Sequence, residues 1–116
     1  MENQKACIVK SGFWYSADKN PFWLNVVGEK VFWLGMNNKT ATSQLATQWC
    51  HVGHGELNGN HIFLEWSDIP VGKDQLYGSI TIEIIDDTHL KVIEDSGNFG
   101  KSEWEWVAEN KSFSEL

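Results

Sequence analysis

Basic residues are scarce in this chain: 9 Lys and Arg stand against 16 Asp and Glu, for a net charge of -7. Duplex-binding and anionic-membrane surfaces need clustered cations, so neither nucleic acid nor a membrane is an expected partner. Cysteine is equally sparse. Cys7 and Cys50 cannot build a disulfide framework, and residues 1–10 lack the charged and apolar regions of an export signal. Free thiols in a cytoplasmic protein are therefore expected, and the sequons at Asn38 and Asn110 carry little weight. No apolar run reaches membrane-spanning length. Long amphipathic helices and internal linkers are missing as well, which leaves one domain over 1–116 with ends at 1–8 and 109–116 expected to be disordered.

What the chain does have is tryptophan, 7 in 116 residues, spread over short segments of strand composition. Asn58-Gly59 between two such segments predicts a tight type I′ hairpin. Alternation predicts eight strands near 12-17, 22-27, 31-36, 47-57, 60-66, 76-85, 89-94 and 102-108. Most connections are short and rich in turn residues, as at Gly28-Glu29-Lys30 and Asp86-Asp87-Thr88, so sequential strands should be antiparallel neighbours. The longer loops Ser67 to Gln75 and Asp95 to Lys101 should form rims, while Asn37 to Ala46 has neither a strand nor a helix period. Eight short strands remove their edges best by closure. The expected fold is all-β, an antiparallel up-and-down barrel of about eight strands, with a β-sandwich as the alternative.

Period two also assigns faces. Ile62, Leu64 and Trp66 share one side of their strand, Leu76, Gly78, Ile80, Ile82 and Ile84 share one side of the next, and Trp104 and Trp106 point the same way. Such rings either fill a core or line an apolar cavity. The leading functional expectation is noncatalytic binding of a small apolar or cyclic ligand, with Trp14, Trp66, Trp104 and Trp106 as the wall and His54 or Tyr77 as polar contacts. His51 is an alternative polar contact. A second expectation is a carbohydrate-binding surface on Trp23 and Trp33, with Asn25 beside Trp23. A third is a small-barrel isomerase or hydratase using a His and an acid near the mouth, marked by a histidine titrating far from its usual value. Outer rings such as Phe32 and Phe63 suit a homo-oligomer contact.

Gly12-Phe13-Trp14 resembles the Gly-x-Trp that opens the first strand of calycins, the lipocalins and avidin-like proteins. That resemblance implies a barrel closed at one end by Trp14 and open at the other to a small ligand. Later family motifs are not recognisable, and the chain lacks the export signal and disulfides of secreted lipocalins.

No reaction motif stands out. Cys50, His51, His54, Glu56 and His61 are zinc-type ligands, but in a regular strand Cys50, His54 and Glu56 face away from His51, so convergence would need a bulge at Gly53 or Gly55; neither a metal nor a cofactor is expected. Gly100-Lys101-Ser102 lacks Walker spacing and leads into a strand. Asp86-Asp87 and Glu94-Asp95 are adjacent pairs, unlike acids that flank a glycosidic bond, and are expected to be solvated. Asp68 is expected as an Asx-type turn residue on a rim loop.

Overall fold

The computed structural model describes residues 9–100 and 102–116; Cys7 and Lys101 lie outside the described residues. Eight antiparallel strands close into one up-and-down barrel: β1 Gly12–Ser16, β2 Pro21–Val27, β3 Lys30–Met36, β4 Cys50–Asn58, β5 His61–Asp68, β6 Tyr77–Asp86, β7 His89–Asp95 and β8 Glu103–Ala108. β8 returns to pair with β1, so every strand has two neighbours and no edge remains exposed. The expected barrel is the fold, and the sandwich alternative does not apply.

Its two ends differ because of their connections. One end carries three two-residue turns, Gly28-Glu29, Gly59-Asn60 and Asp87-Thr88, set by the pairs Val27↔Lys30, Asn58↔His61 and Asp86↔His89. The expected hairpin is present, but its turn falls one residue later than Asn58-Gly59: Asn58 pairs in the ladder, and positive φ occurs at Gly59 (63°) and at neither asparagine. That pattern suits a primed turn with glycine first, not type I′. The other end carries the four longer connections, including both expected rim loops and the 37–49 segment, which contains no strand or helix.

Period-two alternation places Ile62, Leu64, Trp66, Ile80, Ile82 and Ile84 inside, as their spacing predicts. Leu76 precedes β6 and is exposed. Trp14 is fully buried near the tight-turn end, its Nε1–H donating to Lys10 O at 3.0 Å, and Val9 joins the same core. Trp106 is half-buried there with the Lys10 ammonium over its ring. Glycines flank the inward Trp66 on both neighbouring strands. Gly53 stands between Trp33 and Trp66 across the ladder, and Gly78 flanks Trp66 on its other side.

A second aromatic group lies outside the barrel wall. Phe13 packs on Tyr15 and Trp23, and Phe113 meets Trp23 edge to face at 5.2 Å. Trp23 Nε1–H donates to Lys111 O at 2.9 Å, while Phe113–Glu115 forms a 3-10 turn closed by Ser112 and Glu115. Residues 109–116, expected to be disordered, therefore cover the outer face of β1 and β2 because Phe13 and Trp23 give them apolar area to bury. The other expected disordered end, 1–8, lies outside the described residues.

Candidate functional site

Interior rings gather at the long-loop end. Phe22 meets Trp33 at 5.4 Å and Trp104 at 5.4 Å, while Trp33 and Trp104 cross at 5.0 Å and 87°. Above this layer sits His51, 3% exposed, reached by Phe22, Trp66 and Phe99 at 5.6, 5.5 and 5.2 Å. Trp49 lies nearly parallel to the imidazole, at 5.2 Å and 12°. Trp49 and His51 share a side because they are two residues apart at the start of β4, and Gly35 beside His51 leaves room for the Phe22 ring.

His51 is electrostatically defined. Trp33 Nε1–H donates to its Nε2 at 2.8 Å, which places the imidazole proton on Nδ1. Burial pushes its pKa down to about 3, so the ring is neutral at physiological pH. Nδ1–H has no hydrogen-bond partner among the described residues. The indole N–H groups of Trp66 and Trp104 are likewise buried without one.

Over these rings lies a cavity of about 220 Å³ whose wall includes Phe22, Trp49, His51, Trp66 and Phe99. Its rim is polar and acidic, with Asp18 from the β1–β2 loop, Asp68 from the end of β5, Asp74 from the β5–β6 loop, and Ser16, Asn20, Asn98 and Ser102 nearby. Asp68 Oδ2 accepts the Leu76 N–H at 2.8 Å and Leu76 O accepts the Asp68 N–H, so Asp68 closes the loop across eight residues rather than through the expected Asx-type turn. Burial, with the charge of Asp74, nevertheless holds the Asp68 carboxyl above its ordinary value.

Two side chains shape the loops that carry Trp49 and Phe99. Buried Asn37 donates from Nδ2 to Asn38 O and Gln44 O and accepts at Oδ1 from the N–H groups of Gln48 and Trp49, at 2.7 and 3.0 Å. This is how a stretch without periodicity becomes fixed: one amide satisfies four backbone groups. Asp95 is exposed, as expected, and also accepts from Gly97, Phe99 and Gly100 N–H. Partial burial raises its pKa, but the three donors together outweigh that and leave it below the ordinary value.

Of the residues singled out from the sequence, Trp66 lines the cavity and Trp104 lies beneath it, touching Phe22, Trp33 and Phe99. Trp14 and Trp106 are at the tight-turn end, away from the mouth. His54 and Tyr77 face outward: His54 sits 3.9 Å from Glu65 on the outer wall, and Tyr77 is 76% exposed. Strand alternation puts His51 inside and therefore His54 and Cys50 outside, which also separates the zinc-type side chains. Trp33 is buried inside and Trp23 is covered by the C-terminal segment, so these two do not form an open sugar-stacking platform. Phe32 and Phe63 are exposed on the outer wall. Phe22 and Phe99 were not singled out. The signal for Phe22 was Gly35, a residue that vacates space on the facing strand.

No helix among the described residues is long and apolar enough to cross a membrane. Comparison of the chain with known protein families, with curated proteins and with solved structures finds no match in any of the three.

Proposed function

We propose that the protein binds a small cyclic ligand, without chemistry, in the aromatic mouth of the barrel. The observation that carries this reading is the cavity built around a neutral, buried His51: four aromatic rings surround an imidazole whose outward N–H lacks a partner. A ligand acceptor at that N–H would add a hydrogen bond worth about 0.5–1.5 kcal/mol. The cavity of about 220 Å³ exceeds the roughly 150 Å³ that admits a benzene ring. Below it the barrel is filled with Trp, Ile and Leu side chains, so a long acyl chain has no place to go. The calycin likeness, carried by Gly12-Phe13-Trp14 and the closed meander, and a cytoplasmic setting with Cys50 as a free thiol belong to the same proposal.

Tryptophan emission during titration with one- and two-ring compounds tests it, alongside native mass spectrometry for a retained molecule. Saturable quenching that Trp49→Ala and Phe99→Ala weaken at least about fivefold supports the reading; unchanged emission with every ring sinks it.

One observation favours an isomerase or hydratase as second reading: a strongly shifted histidine and a raised carboxyl, Asp68, line the same cavity. The basic Nε2 of His51 is already engaged by Trp33, so His51 would act as a neutral donor to a carbonyl and Asp68 as the base. Deuterium exchange next to the carbonyl of ring ketones, lost in Asp68→Asn, would establish it over simple binding.

A further inference from the structure

The mouth of the barrel carries two opposite demands. Its floor offers one donor, the Nδ1–H of His51, on a side chain only 3% exposed and without a partner among the described residues. Its rim offers negative charge from three carboxylates, Asp18, Asp68 and Asp74, none of which forms an ion pair among the described residues. Asp68 and Asp74 repel each other strongly enough to contribute to the raised pKa of Asp68. The Leu76 N–H offsets part of the charge on Asp68, and among the described residues the cavity wall includes no Lys.

Resting on the binding reading above, we propose that the ligand is a cationic ring compound, an aryl or heteroaryl amine of one or two rings. Its ring lies among Phe22, Trp49, His51 and Phe99, with an acceptor atom toward His51 and its ammonium group at Asp18, Asp68 and Asp74. The electron-rich faces of Trp49 and Phe99 favour a cation close above them, and the chain's net charge of -7 raises the local concentration of cations at the mouth. Shape agrees with charge: the cavity of about 220 Å³ takes a ring with a short side arm.

Calorimetry with two matched series tests the proposal. Tyramine, tyrosol and 4-hydroxyphenylacetate share a phenol and differ in charge, as tryptamine, tryptophol and indole-3-acetate share an indole. The amine should bind about tenfold more tightly than its neutral alcohol at low salt, and the carboxylate most weakly, with the gap closing as salt rises. Asp74→Asn, whose side chain holds no loop hydrogen bond, should bring the amine toward the alcohol's affinity while leaving the alcohol unchanged; Asp68→Asn should do the same at some cost to the loop. Alcohols or carboxylates that bind as well as amines overturn the charge assignment and leave ring binding intact. If no member of either series binds, ring binding itself fails with it.

Discussion

Trp33 donates its indole N–H to His51 Nε2 at 2.8 Å inside the barrel, and this one bond sets the tautomer and the orientation of the only buried histidine among the described residues, which burial keeps neutral. Trp33 on β3 and His51 on β4 both point inward. The cavity floor is thus fixed by two strands of the scaffold, while its wall combines Phe22 and Trp66 from strands with Trp49 and Phe99 from loops.

The depressed pKa of His51 makes stability depend on pH with a definite sign. Between the ordinary value of 6.5 and about 3 the unfolded chain takes up a proton that the folded chain refuses, so stability is full above 6.5 and falls as pH drops through this window. Moving from pH 7 to pH 5 should cost about 2 kcal/mol through this residue. His89, raised by its bond to Asp86, acts with the opposite sign around 6.5, and the lowered acids Asp86, Asp95 and Glu115 act at more acidic pH. Urea unfolding of wild type and His51→Gln at both pH values isolates the effect. The variant, which keeps an acceptor for Trp33, should lose about 2 kcal/mol less than wild type on acidification.

Asn37 holds the loop that delivers Trp49. Asn37→Ala removes an amide that satisfies four backbone groups and should destabilise the protein by about 2 kcal/mol. Ligand affinity should fall more than tenfold even where the protein remains folded, because Trp49 loses its fixed stack on His51. Thermal melts paired with titrations check both numbers.

Gly35 gives way to two rings. A methyl group there would press on the Phe22 ring and lie 2.9 Å from His51 Nε2, the atom that accepts from Trp33. Gly35→Ala should cost about 1–3 kcal/mol by overpacking and alter the near-ultraviolet circular dichroism of the tryptophan cluster. The same change at Gly28, where an added Cβ meets nothing and φ is 62°, tests backbone strain alone and should leave the aromatic signal unchanged.

How far the sequence reaches is clear from these elements. Alternation in Ile80, Ile82 and Ile84 and the short turn-rich connections contain the barrel, since burial on one face and closure of edges are local and periodic constraints. The mouth is less legible. Trp49 and Phe99 are positioned by Asn37 and Asp95 through hydrogen bonds to backbone groups up to 12 residues away, which no period encodes. Tryptophan count alone misleads in a barrel this small, because Trp14 and Trp106 lie near the tight-turn end, Trp23 faces outward, and only part of the set reaches the cavity. The choice between His51 and His54 needed the register of β4, where a one-residue difference exchanges inside for outside.

The most direct test of the binding site is a spectrum of the seven indole N–H groups, assigned by single Trp→Phe variants, recorded while tyramine and tyrosol are titrated into the protein. Ring binding at the mouth predicts saturable shifts at Trp49 and Trp66, smaller ones at Trp104, and none at Trp14, Trp23 or Trp106. Shifts confined to Trp23 or Trp106, or no shift at millimolar ligand, would contradict it.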